Sequence, residues 1–254
     1  MEIENYEHGR PSWVDLASPD IAASSAFYGG LFGWDTPPGP PEMGGYVVAT
    51  VDGKPVAGIG PKMDPNMPTV WTTYVNVDDA DATAAAASGA GGQVLVAPMD
   101  IPEAGRMAIV ADPTGAVIGI WQPNQHRGAQ LVNEPSAWVW AQLFTTDLHA
   151  AEAFYTKVFG WGVKSGEGGG PSELTVGENT VASMMLKPAE MPADVPPHWH
   201  VYFGVSDIDV ALARIAELGG TAVFGPVPMD FGPLATAVDP AGASFSIVGM
   251  AQAA

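Results

Sequence analysis

The sequence predicts an α+β protein made of four β-α-β-β-β modules that form two similar domains. The phrase "SSAFYGGLFGW" (24–34) returns 127 residues later as "AEAFYTKVFGW" (151–161). "WVDLASPD" (13–20) and "DPTGAVIGIWQ" (112–122) have partners at the same offset, and each half divides again into two similar units. A repeat at one offset over nearly the whole chain indicates duplication of a complete structural unit.

Each module is predicted to open with a strand, to continue with an aspartate and a helix of small residues, and to end in short strands. A carboxylate at the start of a helix accepts hydrogen bonds from the free N–H groups of the first turn. The aspartates that we predict in this place are Asp20, Asp78, Asp147 and Asp207. Turns such as "DPTG" and "DPAG" connect the closing strands, because glycine there can take a positive φ.

The repeat sets the predicted boundaries. The modules cover residues 10–65, 70–122, 137–188 and 197–250, which group into domains 1–124 and 135–254. Between them, "QPNQHRGAQLVNEPSA" (122–137) is polar and contains two prolines, as expected for a linker. The glycine-rich "SGEGGGPSE" (165–173) predicts a flexible loop or cleft flap. Since one chain supplies all four modules, we expect a monomer in which the halves pack on each other; a homodimer is the alternative.

Composition and charge exclude several function classes. The 254 residues include 28 acidic and 9 basic side chains, a net charge of −19. Such a surface repels phosphate backbones, so we expect no nucleic-acid partner. The chain has no apolar run long enough to span a bilayer, and "MEIENYEHGRP" is not a signal peptide, so we expect no membrane partner. The absence of cysteine excludes thiolate chemistry and fits a cytoplasmic location.

The strand-to-aspartate phrase, "FYGGLFGW", "FYTKVFGW" and the two "DPxG" turns resemble the vicinal oxygen chelate superfamily. This superfamily includes glyoxalases, extradiol dioxygenases and bleomycin-resistance proteins. The resemblance covers almost the whole chain and implies two glyoxalase-like domains with curled mixed sheets around concave clefts. The opening "GRPSWVDLASPD" is also similar to tandem glyoxalase-like proteins of actinobacteria, some of them labelled hydroxylases.

The resemblance implies metal ligands at two places in each module: seven residues before the helix-capping aspartate, and late in the last strand. In this chain those eight positions are occupied by Trp13, Gly58, Trp71, Gly119, Trp140, Ser183, His200 and Ser246. Tryptophan has no lone pair for a metal, and glycine has no side chain. We therefore predict no bound metal and no other cofactor. A metal at His198 and His200, completed by a ligand from elsewhere, is the alternative.

The same resemblance places these positions and their strand neighbours in the clefts, because strand side chains alternate. For the first cleft it gives Trp13, Asp15, Trp71, Thr73 and Trp121, and for the second Trp140, Gln142, Phe144, His200, Tyr202 and Ser246. Concave aromatic surfaces with a few polar groups are typical of small-molecule pockets. We predict the binding of a flat, partly aromatic organic molecule, such as a polyketide-like antibiotic. Tryptophans that merely fill clefts without a function are the alternative.

Two residues are candidates for acid–base chemistry. Asp15 lies in an apolar strand, and desolvation raises the pKa of a carboxyl toward the range of a general base. A buried acid paired with Arg10, Arg106 or a backbone donor is the alternative for Asp15. His200 is the candidate acid or base of the second cleft. Three functions stay open: a binding or resistance protein, a metal-independent enzyme acting on an aromatic metabolite, and a metal-dependent lyase or oxygenase.

Overall fold

The computed structural model describes residues 1–166 and 170–250, so part of the predicted loop 165–173 lies outside the described residues. The strands are β1 (Pro11–Ser18), β2 (Val47–Val51), β3 (Lys54–Pro61), β4 (Val70–Asn76), β5 (Gln93–Ile101), β6 (Gly105–Ala111), β7 (Val117–Pro123), β8 (Trp138–Thr145), β9 (Gly162–Lys164), β10 (Ser172–Val176), β11 (Asn179–Leu186), β12 (His198–Val205), β13 (Thr221–Val227), β14 (Leu234–Val238) and β15 (Ser244–Gly249). The helices are α1 (Ile21–Phe32), α2 (Ala80–Gly89), α3 (Leu148–Phe159) and α4 (Ile208–Glu217). None of these described helices has the length and apolarity that a membrane span needs.

Each half of the chain forms one mixed sheet. The first has the order β2-β3-β1-β4-β7-β6-β5, and the second has the order β13-β14-β15-β12-β8-β11-β10-β9. The opening strands of the two modules lie antiparallel at the centre of each sheet. Each opening strand also pairs in parallel with the last strand of its own module. The sheets curl without closing, and the predicted α+β fold of four modules is confirmed.

The helix starts agree with the sequence in three modules and differ in one. Asp20, Asp147 and Asp207 accept hydrogen bonds from the first-turn N–H groups of α1, α3 and α4. In α2 the cap is Asp79, whose side chain accepts from the Ala82 N–H, and not Asp78. Both aspartates of "VDDAD" have the chemistry of a cap, and the prediction chose the wrong one.

Because of this one-residue error, two residues predicted for the first cleft lie on the other face of the sheet. Seven residues before Asp79 stands Thr72, which faces Asp15 across the β1–β4 pair. Because successive strand side chains alternate between faces, Trp71 and Thr73 lie on the opposite face of the sheet. Trp71 is indeed buried on the helix side, where its Nε1 donates to the Tyr28 hydroxyl at 3.0 Å. The assignment of Trp71 and Thr73 to the first cleft is therefore wrong.

The helix sides of the two sheets meet, and two matched hydrogen-bond networks join them. In the first network, Trp71 donates to the Tyr28 hydroxyl, which donates to Asp239 Oδ2 at 2.9 Å. In the second network, Trp199 donates to the Tyr155 hydroxyl at 2.8 Å, and that hydroxyl donates to Asp112 Oδ2 at 3.0 Å. All six side chains are buried. Each network takes its tyrosine from one half of the chain and its aspartate from the other.

Two tryptophan side chains also donate hydrogen bonds to backbone carbonyls of the other half. The Trp161 Nε1 of the second half donates to the Gly9 carbonyl at 2.5 Å. In the same way, the Trp34 Nε1 of the first half donates to the Ser136 carbonyl at 2.6 Å. The N-terminal segment therefore packs on the second half, and the end of the linker packs on the first. The two halves form one interlocked body.

Candidate functional site: two unequal clefts

The first cleft is crossed by a tyrosine that the sequence analysis did not identify. Tyr46, just before β2, accepts a hydrogen bond from Trp13 Nε1 at 2.9 Å and donates to Asp15 Oδ2 at 3.2 Å. A Cβ built on Gly58 would lie 1.9 Å from the Tyr46 oxygen. Since real atoms do not approach so closely, the tyrosine ring occupies the space above Gly58.

Other aromatic rings fill the rest of the first cleft. A Cβ built on Gly119 would lie 2.2 Å from the ring of Tyr74, which occupies that position in the same way. The ring of His126 stands edge-on to Trp13, with 4.4 Å between the ring centroids. Trp13 is 4% exposed, and Tyr74 and Trp121 are each 7% exposed. The first cleft is thus largely closed by its own side chains.

Asp15 lies half-buried in this aromatic surrounding. Burial raises its pKa to about 7, and the hydroxyls of Tyr46 and Tyr74 oppose that rise by stabilising the carboxylate. Arg106 does not pair with Asp15, because its guanidinium binds Asp81 and Asp100. Asp15 can therefore gain or lose a proton near neutral pH, as a general base would need.

The second cleft brings together the side chains predicted for it. Within the β8–β12 pair, His200 faces Gln142, and Tyr202 faces Trp140. Ser246 faces Tyr202 from β15, and Phe144 shares the surface of Gln142. Three hydrogen bonds tie the polar groups of this wall: Trp140 Nε1 to Ser183 at 2.9 Å, Tyr202 hydroxyl to Gln142 Oε1 at 2.6 Å, and His200 Nε2 with Ser246 Oγ at 2.8 Å. These six predicted residues share one surface, and their role in binding stays a prediction.

The second cleft is less covered than the first at Trp140, although its other predicted residues are buried. Gly58 and Ser183 occupy matching places beside Asp15 and Gln142. Val48 faces Gly58 as Glu173 faces Ser183, so the counterpart of Tyr46, two residues earlier, is Pro171. Pro171 is exposed and has no aromatic ring to cover the second cleft. Consistently, Trp140 is half-buried, whereas Trp13 is almost fully buried.

The two histidines of the second cleft are neutral near pH 7. Burial, with a smaller contribution from the neighbouring His198, lowers the pKa of His200 to about 3. Burial also lowers the pKa of His198, whose Nδ1 lies 2.9 Å from the Pro196 carbonyl. A general acid must hold a proton at the working pH. His200 therefore serves better as a neutral hydrogen-bonding group than as the acid of the predicted acid–base pair.

The donors present do not fit the metal of the resembling enzymes. At the corrected positions, the first half has Trp13, Gly58, Thr72 and Gly119, and the second half has Trp140, Ser183, His200 and Ser246. Within residues 1–166 and 170–250, no three histidine or carboxylate side chains lie close enough together to hold an ion. His200 Nε2 is already bonded to Ser246. Divalent metals in such sites need imidazole, carboxylate or amide donors.

Comparison with known proteins places this geometry in a family. The sequence profile of the Glyoxalase/Bleomycin resistance protein/Dioxygenase superfamily matches residues 10–120 and 138–247. The chain belongs to this superfamily. CFP32 of Mycobacterium tuberculosis (strain CDC 1551 / Oshkosh), whose name assigns it provisionally to the glyoxylases, is 43% identical over 253 residues, which cover 96% of this chain and 95% of the relative. The anthracycline biosynthesis protein DauV of Streptomyces sp. (strain C5) is 36% identical over 266 residues, 99% of this chain and 97% of DauV.

Solved structures with a similar fold include a glyoxalase and a dioxygenase. The Mn(II)-bound glyoxalase of Novosphingobium aromaticivorans aligns with a TM-score of 0.65 at 18% identity, over 94% of this chain and 82% of its own. The 2,3-dioxygenase LapB of Pseudomonas sp. KL28 aligns with a TM-score of 0.65 at 15% identity, over 94% of this chain and 91% of its own. At such identities the similarity establishes the fold alone.

Proposed function

We propose that this chain binds a flat, partly aromatic organic molecule in its second cleft, without a metal. The observation that carries the proposal is the difference between the two clefts. Tyr46 covers Trp13 in the first cleft, whereas its counterpart in the second half, Pro171, has no aromatic ring, and Trp140 is half-buried. A half-buried indole surrounded by polar groups offers both stacking area and orientation to a ligand.

The ligand would contact a wall that combines aromatic rings with neutral polar groups. Phe144 and His198 lie 5.4 Å apart between ring centroids and continue the aromatic surface. Gln142 accepts from Tyr202 through Oε1, so its amide nitrogen is available to donate to an oxygen of the ligand. DauV, and the anthracycline biosynthesis protein DnrV of Streptomyces peucetius at 37% identity, support an antibiotic-type metabolite as the ligand class.

The test uses anthraquinone-2-carboxamide, an uncharged flat probe, with tryptophan fluorescence and calorimetry as readouts. We expect saturable quenching by one equivalent of probe. Trp140→Ala is expected to weaken binding by about 1–3 kcal/mol through loss of a stacking face in a desolvated site. Trp13→Ala is the matched control, because the Trp13 face is covered by other side chains.

Trp13→Ala is expected to lower the free energy of unfolding by about 3–5 kcal/mol, as for other buried aromatics, and to leave probe affinity unchanged. If Trp13→Ala abolishes binding and Trp140→Ala does not, the ligand lies in the first cleft. If neither variant changes the affinity of a bound probe, the ligand lies outside both clefts and the proposal is wrong.

A second candidate function, metal-independent turnover of a metabolite in the first cleft, is favoured by Asp15 and requires the Tyr46 ring to move away from Trp13. The Asp15 pKa of about 7 and the contact of Asp15 with the Tyr46 hydroxyl suit proton transfer near neutral pH. An Asp15→Asn variant that binds ligand normally and loses turnover would support this candidate. A metal-dependent lyase or oxygenase has less support, because the family ligand positions lack the required donors.

A further inference from the structure

A small cavity adjoins the second cleft at Trp140. It has a volume of about 60 Å³ and is bounded by the N-terminal segment, the end of the linker, β8 and β11. Trp140 lines this cavity and also belongs to the second cleft, so the two spaces are neighbours. A cavity holds one water for about 10–15 Å³ of such volume, so this one has room for several waters or for one small polar group.

Arg10 supplies the charge of this cavity. Its side chain is half-buried and lines the cavity beside Tyr6 and Trp140. Among the described residues, no carboxylate lies within ion-pair distance of the Arg10 guanidinium. The Arg10 charge acts on the Tyr6 hydroxyl, whose pKa it lowers against the larger rise caused by burial.

Two of the other three arginines pair with carboxylates: Arg106 with two aspartates and Arg214 with Glu217. Arg127, which donates to the neutral Asn5, is exposed to solvent, whereas Arg10 is half-buried. The chain has 28 acidic side chains against 9 basic ones, so partners for an arginine are plentiful. A partly desolvated cation without an anion is costly, and a guanidinium binds carboxylates through two parallel hydrogen bonds.

We infer that Arg10 and its cavity form a carboxylate-binding subsite, so that the ligand of the second cleft is an aromatic carboxylic acid bound as its anion. This inference rests on the proposed function, since the aromatic part of the ligand lies on Trp140.

The experiment compares two probes that differ only in charge: anthraquinone-2-carboxylate and anthraquinone-2-carboxamide. The intact chain, without an N-terminal tag, is titrated with each probe at low salt. We expect it to bind the carboxylate about tenfold or more tightly than the amide, as for a charge-assisted pair. Arg10→Gln is expected to remove this preference and to leave amide affinity within about twofold. Arg127→Gln is the matched control, because it removes a cation from the linker without touching the cavity.

Arg10→Lys tests the geometry. It keeps the charge and removes the two-pronged donor, so we expect part of the preference to be lost. Melting curves of all variants verify that the N-terminal segment still packs on the second half. An unchanged carboxylate preference in folded Arg10→Gln overturns the inference, whereas Trp140-dependent amide binding would still support the proposed function. An equal loss of carboxylate preference in Arg127→Gln also overturns the inference, because the preference would then come from the net charge of the protein and not from Arg10. If neither probe binds, both proposals fail.

Discussion

Removal of the Tyr155 hydroxyl tests whether the two buried networks hold the halves of the chain together. In Tyr155→Phe, Asp112 Oδ2 loses its bond from the hydroxyl, and Trp199 Nε1 loses its acceptor. Both partners are almost completely buried, so water does not replace the lost bonds. A bond to a charged group contributes about 1.5–3 kcal/mol, and a buried donor left unpaired costs about 1–3 kcal/mol.

The expected loss is therefore about 3 kcal/mol or more in the free energy of unfolding. At about 2–4 °C per kcal/mol for a chain near this size, the melting temperature falls by about 6–12 °C. Urea unfolding followed by circular dichroism and tryptophan fluorescence measures both. Tyr28→Phe, which breaks the first network, is expected to give a loss of similar size.

Tyr202→Phe is the matched control, because that hydroxyl bonds to the neutral amide of Gln142 at the side of a cleft. Its expected cost is about 1 kcal/mol. If Tyr155→Phe costs no more than Tyr202→Phe, the networks contribute little and the reasoning is refuted. The same conclusion would follow if limited proteolysis released a stable fragment 1–125 with no loss of stability.

Three further predictions concern metal, pH and packing. Protein purified without a histidine tag should contain well below about one equivalent of Zn, Fe, Mn, Ni or Co. A lower melting temperature in EDTA would show that the side chains at the family ligand positions hold a metal after all. The raised pKa of Asp15 makes the folded state bind more protons than the unfolded state. The contribution of Asp15 to stability is therefore fully present below about pH 4 and is lost as the pH rises through about 7. In urea titrations between about pH 5 and 8, Asp15→Asn should accordingly be more stable than the unmodified chain. A Cβ at Gly92 would lie 2.5 Å from the Phe154 ring, whereas one at Gly89 would lie 3.9 Å from its nearest neighbour, so Gly92→Ala should cost about 1–3 kcal/mol and Gly89→Ala should be close to neutral, as calorimetric melting would show.

The fold could be predicted because duplication repeats every structural signal. The phrases that contain Phe27 and Phe154 stand 127 residues apart. The first forms α1 and the second forms α3, and both helices pack between the sheets. The site was less predictable, since it depends on register. Asp78 and Asp79 are chemically equivalent as helix caps, and an error of one residue moves Trp71 from the core face to the cleft face.

Long-range contacts explain the remaining omissions. Tyr46 reaches Asp15 from a loop 31 residues away, and no local pattern reports this contact. One signal could have suggested it: glycine stands at alternate positions of β3, Gly58 and Gly60, as where a ring approaches a backbone closely, and both lie against the Tyr46 ring. The pairing of Tyr28 with Asp239 spans 211 residues. Both residues stand in repeated phrases, but the sequence does not show that those phrases meet.

The interlocked halves constrain the order in which the chain can finish folding during its synthesis. Tyr28 belongs to the first helix, but its carboxylate partner, Asp239, and the neighbouring ring of Phe245 lie in the last module. When the first half leaves the ribosome, the second half is not yet present to cover the face that carries Tyr28 and Trp71. Asp112 also lacks its hydrogen-bond donor, because Tyr155 has not yet been synthesised. Apolar surface exposed in this way promotes aggregation of nascent chains. This face of the first half therefore stays uncovered until the fourth module, which contains Asp239, has been translated.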